Sequence, residues 1–185
     1  MAAEPMRRQF TVKDYYRMGK AGILKEDERV ELIEGEIIQM PPIGDLHAWC
    51  VNRLNRLLVL AVGDAAVVAI QNPLRLGDRS EPVPDIVVMR PRPSLRGPHP
   101  TADDGLLVIE VSVTTLAYDQ RVKVPLYARL GVPEVWVADL RGEVICVYRE
   151  PTPDGYRVTL ARRQGERIGP SALPDLELAV DDILG

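Results

Sequence analysis

The sequence predicts an α/β (α+β) fold, with strands buried on both faces and helices flanking them, and three stretches carry that prediction. Leu106 to Ile109 is an uninterrupted apolar run that reads as a doubly buried strand, broken by the carboxylate Glu110 before Val111 resumes it. Val83 to Met89 repeats the pattern, with Asp85 opening a second apolar strand. Asp45 to Val62 is a long amphipathic stretch in which Trp49, Leu54, Leu57, Leu58 and Ala61 recur at helical spacing. At 185 residues the chain fits one domain, 1–185, long enough to bury a core of its own.

In chain order, Thr11 to Asp14 has the form of a capping box with Asp in place of Glu, opening a short helix that runs to about Gly19. From Arg29 to Met40 the period changes to two, and Glu34-Gly35 reads as a tight turn between two strands with Leu32 and Ile37 facing the core. Glu31 on the first strand is either the solvated face of an edge hairpin or a carboxylate turned inward. Pro41 to Asp45 is a loop, and the Asp45–Val62 helix follows. His47 lies in its first turn, where a lone histidine commonly caps or faces solvent. Arg53 and Arg56, three apart, belong to a solvated face or contact phosphates. Ala65 to Ile70 is a β-branched strand, ended by the turn Gln71-Asn72-Pro73, from which Gln71 can reach a neighbouring site. Leu74 to Leu76, then Gly77 to Ser80, describe a hairpin leading into the Asp85 strand.

Four prolines between Arg90 and Pro100 forbid a regular element. That loop joins the two carboxylate-bearing strands and carries Arg90, Arg92, Arg96 and His99, so it reads as a substrate clamp or as a plain soluble connection. After Thr114 and Thr115 comes a helical segment in which Asp119 and Lys123, four apart, can form a surface ion pair. Pro125 demands a kink or a helix that begins close to Lys123. Val122, Leu126, Tyr127 and Leu130 supply its apolar face, and Gly131 stops it. Glu134 to Ala138 and Glu143 to Tyr148 read as strands around an Asp139–Gly142 turn, with Trp136 expected against the preceding helix. Tyr156 to Arg162 is a further strand, and Leu173 to Leu184 folds back over the sheet.

Composition narrows the function classes. A net charge of −4 and a pI near 5.3 argue against a strong non-specific nucleic-acid binder, whose affinity is largely phosphate neutralisation, but leave room for an enzyme whose basic groups are local. Cys50 and Cys146 are too few for a disulfide framework or a zinc site and read as small core residues. The N-terminal stretch has no apolar core of signal-peptide length and nothing approaches a membrane span, so the cytoplasm is the expected compartment. There is no glycine-rich phosphate loop, no Gly-x-Ser-x-Gly elbow and no His-Glu-x-x-His.

The carboxylates carry the chemistry. Burying Glu110 unpaired is expensive, so a cation, a hydrogen-bond network or a metal must meet it. If the two strands are neighbours, Asp85 and Glu110 sit at adjacent ends and can share one divalent cation, which hard oxygen ligands suit. The run Val30-Glu-Leu-Ile-Glu-Gly-Glu-Ile37, then His47, Pro84-Asp85, Glu110-Val-Ser112, Asp119, Lys123, Tyr127 and Gly131-Val-Pro-Glu-Val-Trp136 resembles the PD-(D/E)xK nuclease superfamily, and more closely the Uma family of restriction-endonuclease-like proteins. The resemblance spans roughly residues 10 to 149.

That resemblance implies a restriction-endonuclease-like core, a central mixed β-sheet flanked by helices, and a metal-dependent endonuclease that hydrolyses phosphodiester bonds, DNA above all. It implies that Asp85, Glu110 and the backbone carbonyl of Val111 bind Mg²⁺ or Mn²⁺, that Glu31, His47, Gln71 and Ser112 are accessory, and that the enzyme acts as a homodimer. The parent pattern Glu-x-Lys sets carboxylate and lysine on one strand face, two residues apart. Here Ser112 occupies the lysine's place, and the resemblance makes Lys123 the replacement. Two other readings stand beside this one: a catalytically silent nucleic-acid- or protein-binding domain on the same fold, and a structural protein whose carboxylates pair with the arginines of the Arg90–Arg96 loop.

Overall fold

The computed structural model describes residues 7–92 and 97–185. Six strands form the central sheet: β3 (Val67–Ile70), β4 (Ile86–Met89), β5 (Gly105–Ser112), β6 (Glu134–Asp139), β7 (Val144–Thr152) and β8 (Gly155–Arg163), hydrogen-bonded in that order. All neighbours are antiparallel except β5 and β6, so the sheet is mixed, as the sequence predicts. A parallel pair needs a crossover long enough to return the chain, and residues 113–133 supply it with a helical segment laid on one face. All eight residues of β5 are buried, which requires cover on both faces.

The cover comes from two sides. On one, the helix α2 (Asp45–Val62) packs Cys50, Val51, Leu54 and Leu58 onto Ile86, Ile109, Val111 and Trp136. The C-terminal helix α5 (Val180–Leu184) adds Val180 and Ile183 to that cluster. The predicted bounds of α2 are met, but Trp49 belongs to its solvent face rather than its core stripe. On the other side, Val124 and Tyr127 meet Val87, Val108, Val135 and Val137. Trp136 therefore packs toward α2 and not against the helix that precedes it: alternate residues of β6 face opposite layers, and it is Val135 and Val137 that face back.

The first helix, α1 (Val12–Lys20), carries the predicted capping box, Thr11 and Asp14 satisfying each other's backbone N–H groups. Strands β1 (Val30–Ile33) and β2 (Glu36–Gln39) form the predicted hairpin. Both turn residues, Glu34 and Gly35, have positive φ, the condition of the tight turn whose twist matches its flanking strands. The hairpin is a separate small sheet, tied to the Leu74–Ser80 turn through Gly35 N–H to Arg79 O and Glu81 N–H to Leu32 O, both 2.7 Å. Leu32 is fully buried, while Ile37 is only half-buried.

The crossover holds the main departure from regular structure. After α3 (Leu116–Tyr118), residues Asp119–Lys123 form a π-helical turn in which the Val124 N–H donates to the Asp119 carbonyl, five residues back. The helix α4 (Val124–Arg129) then begins, with Pro125 in its first turn and Gly131 (φ +83°) after its end. Pro125 has no N–H to give to the preceding turn, so the widened turn sits where a regular helix would leave a carbonyl unpaired. Its consequence is that Asp119 and Lys123 both point inward and are buried. Two short strands, β9 (Arg167–Ile168) and β10 (Leu178–Ala179), pair ahead of α5 in a region the sequence leaves irregular. No helix among the described residues is long and apolar enough to cross a membrane.

Leu54 is fully buried in the α2 layer and Leu60, two turns on, is largely exposed. Leu54→Ala is expected to cost about 2–5 kcal/mol in urea unfolding at constant slope. Leu60→Ala is expected to change stability by less than about 0.5 kcal/mol.

Candidate active site

Strand register brings the carboxylates together. Ile86 pairs with Ile109, so the residue before β4, Asp85, falls opposite Glu110 on β5. Residues opposite one another on antiparallel strands project from the same face. Asp85 is fixed by three donors: Val111 N–H at 2.9 Å and His47 Nε2 at 3.0 Å on Oδ2, and Gln71 Nε2 at 3.3 Å on Oδ1. The N–H and C=O of one strand residue face the same edge, so the Val111 carbonyl also faces the side on which Asp85 lies, where β4 has already ended.

Glu110 meets the helical layer. Its Oε1 accepts from Lys123 Nζ at 3.2 Å and from the Tyr127 hydroxyl, one turn further along the helix. Lys123 Nζ also donates to Glu31 Oε1 at 3.0 Å, and that oxygen takes the Val83 N–H at 3.1 Å. Glu31 is thus an inward carboxylate and not the solvated face of a hairpin, because the hairpin docks against the strand leading to Asp85. Asp119 makes no ion pair with Lys123. It accepts instead from Ser112 Oγ at 2.6 Å and Thr115 Oγ1 at 2.7 Å, so the Ser112 hydroxyl is turned to Asp119 and away from the Asp85–Glu110 pair. Glu31, His47, Asp85, Glu110, Asp119 and Lys123 line one cavity of about 310 Å³.

The proline-rich loop lies elsewhere. Arg90 follows β4 and Asp85 precedes it, which separates them by about 16 Å at about 3.3 Å per residue. Arg90 is tied to the backbone carbonyls of Asp103 and Gly105, and Arg92 to Pro98 O and Asp104. Arg96 lies outside the described residues. Arg90 and Arg92 therefore neither line the cavity nor pair with its carboxylates, since the loop closes on itself at the opposite end of the sheet. The wall they were expected to supply is formed by the Met40–Leu46 segment instead.

Five carboxylates, counting Asp45, line this cavity with Lys123, Arg29 and His47, and the proton affinities of the buried ones follow. Burial drives Glu110 up to about 8 despite the nearby Lys123 charge. Burial also raises Asp119, against its two hydroxyl donors. Burial acts on Asp85 in the same sense, but His47, the Val111 N–H and Lys123 together outweigh it and hold Asp85 below its ordinary value. Lys123 is pushed down by burial and pulled further up by Glu110 and Glu31, so it stays an ammonium. Three buried polar atoms around this cluster have no hydrogen-bond partner among the described residues: Glu31 Oε2, His47 Nδ1 and the Tyr118 hydroxyl, the last raised by burial and by the charge of Glu31. Polar orphans are rare in folded proteins, and their gathering here marks a place built for something more than packing. Tyr118 is a contributor the sequence reading did not name, and Tyr127, named only in the resemblance and on the helix's apolar face, was given no role in the site. The spacing of four between Lys123 and Tyr127 was the available signal for the second.

The family model described as "Uma2: Putative restriction endonuclease" matches residues 12–181. The chain belongs to that family. A solved structure titled as a putative nuclease belonging to DUF820, from Anabaena variabilis, aligns with this Uma2 chain at a TM-score of 0.72, covering 95% of this chain and 97% of that one. Its sequence identity is 20%, so the likeness establishes the shared fold. Comparison with curated proteins gives no match. The restriction-endonuclease-like core is thereby secured for this Uma2 member from both the family and the architecture.

The raised Glu110 makes a pH prediction. Its carboxyl goes from 4.5 in the unfolded chain to about 8 in the folded one, so the folded chain holds a proton that the unfolded chain has released across that window. Stability is therefore expected to fall as pH rises from about 4.5 to 8 and to level off above. Urea midpoints across a pH series in chelator measure it, and Glu110→Gln should flatten the slope.

Proposed function

We propose that this protein is a metal-dependent endonuclease that hydrolyses phosphodiester bonds in DNA, working in the cytoplasm as a single domain, 1–185, with a second copy for the opposite strand. The observation that carries this reading is Asp85 set opposite Glu110 with the Val111 carbonyl on the same edge and a buried ammonium, Lys123, beside them. The donor set suits Mg²⁺ or Mn²⁺. Two carboxylates and a carbonyl are hard oxygens, Glu110 Oε2 takes no hydrogen bond from the described residues, and the carboxylates outnumber their cations. No group of three or more His, Cys, Asp or Glu side chains converges on one metal position among the described residues. That agrees with Mg²⁺, which is commonly held by one or two carboxylates and keeps several waters.

When bound, such an ion supplies Lewis acidity at the phosphoryl oxygens and a more acidic water. The chain's own groups do the rest. His47, Gln71 and the Val111 N–H hold Asp85 ionised and fixed in one orientation. Lys123 Nζ, anchored by Glu31 and Glu110, has a third proton with which to orient the attacking water and stabilise charge that develops on phosphate. Glu31 sets the position of that ammonium, and the Tyr127 hydroxyl sets that of Glu110. One observation favours the second reading, a silent binding domain: Lys123 is only 1% exposed and already meets two carboxylates, as a structural ion-pair network would have it.

Supercoiled plasmid incubated with Mg²⁺ or Mn²⁺ separates the two. Wild type is expected to nick it. Asp85→Asn and Glu110→Gln are expected to lose at least about a hundredfold in rate, and Arg90→Ala to cut normally. A wild type that fails to cut with any divalent ion tested leaves the binding domain.

A further inference from the structure

The carboxylates are recessed. Glu110 is 3% exposed and lies, with Lys123, inside the cavity of about 310 Å³. A cavity of that size takes a ligand on the order of one nucleotide, not paired strands. Its outer wall is the Met40–Leu46 segment, which brings Ile43 and Leu46 to the cavity and leaves both partly open to solvent. Trp49 comes one turn after Leu46 on α2 and is 41% exposed. The Arg53 guanidinium, also tied to Asp182, lies over one face of the Trp49 ring, 5.3 Å from its centre, and Gly185 abuts the ring's far edge, so the opposite face is the one left for a ligand. Arg56, three residues beyond Arg53, is exposed and has no carboxylate partner among the described residues.

Leu46, Trp49, Arg53 and Arg56 follow one another at intervals of three and four, so they form a single stripe that starts at the cavity and runs along the helix. An exposed indole beside guanidinium groups is the chemistry of a base-stacking platform: the ring takes the flat face of any base, and the arginines take backbone phosphates. Paired bases present edges, not faces, and give such a platform nothing to stack. Charge complementarity and continuity with the cavity point to one occupant. Taking nucleic acid as the ligand from the nuclease reading above, we propose that the substrate is single-stranded or locally unpaired, with one nucleotide in the cavity and a neighbouring base stacked on Trp49.

Tryptophan fluorescence tests this directly, because the other tryptophan, Trp136, is wholly buried and Trp49 alone can report a ligand. The full chain, in Ca²⁺, is titrated at low salt with a short oligothymidylate and with a blunt duplex of equal length, and parallel samples in Mg²⁺ and in Mn²⁺ are run on a gel for cleavage. The single strand is expected to quench the emission and to bind about tenfold or more tighter than the duplex. Because both variants lack the reporter, their binding is read by the anisotropy of an end-labelled oligothymidylate: Trp49→Phe should keep the fold and much of the binding, and Trp49→Ala should weaken single-strand binding about tenfold or more. Equal affinity for duplex, undiminished binding by Trp49→Ala, or quenching that follows protein concentration and not oligonucleotide, as a second copy covering the stripe would produce, each overturns the proposal. A chain that binds single strands through Trp49 yet cuts nothing with any divalent ion leaves it standing and removes the nuclease reading. A chain that cuts duplex and ignores the single strand does the reverse.

Discussion

The Lys123 ammonium, held between Glu31 and Glu110, is the interaction on which the rest of this structure depends. It joins three separate parts of the chain: the β1–β2 hairpin, the central strand β5 and the helical crossover. A lysine stem and two carboxylates withdrawn from water are expensive, and such a group persists only where its partners are complete. The hairpin's docking against residues 79–83, the doubly covered sheet and the π-helical turn each place one partner. Without the extra residue in that turn, Lys123 would be rotated away from the cavity. Pro125, two positions on, gives the turn its reason.

On the proposed function, this is how an acidic chain would carry a site for a polyanion. Part of the acidic character is gathered around one cavity, where Glu31, Asp85, Glu110 and Asp119 share Lys123 and His47. Such a cluster is under electrostatic tension by itself, and burial deepens it, as the rise of Glu110 to about 8 records. On the proposed function, a hard cation is the partner that relieves it. Function and stability therefore pull against each other at the same residues, which is where folded proteins commonly keep their unsatisfied groups.

Much of the fold was legible because its signals are local. The capping box at Thr11, the Glu34-Gly35 turn, the eighteen-residue stripe of α2 and the apolar runs around Asp85 and Glu110 each need only a few neighbours to specify them. The two carboxylate-bearing apolar strands were likewise legible, and their pairing, left conditional by the sequence, is what the register of β4 with β5 supplies. What could not be read depends on three-dimensional closure. Ser112 and Asp119 find each other across a turn, and Tyr127 looks like an ordinary apolar-face residue until its hydroxyl meets Glu110. The Arg90–Arg96 loop misled for the opposite reason. It adjoins both strands in sequence, yet a connection between antiparallel neighbours leaves from the end opposite to the one where the carboxylates sit. Trp136 shows the same limit, since period two fixes that alternate residues face apart but not which layer each face receives.

Isothermal titration of Mn²⁺ into the metal-free chain at pH 7, in two buffers of different ionisation enthalpy, bears most directly on the claim that this cluster is a metal site. Glu110 largely retains its proton at that pH, so binding is predicted to be saturable, to release up to about one proton, and to vanish in Asp85→Asn. Absent heat, or the same isotherm in Asp85→Asn as in wild type, would contradict the account and leave the Lys123 network as a purely structural tie.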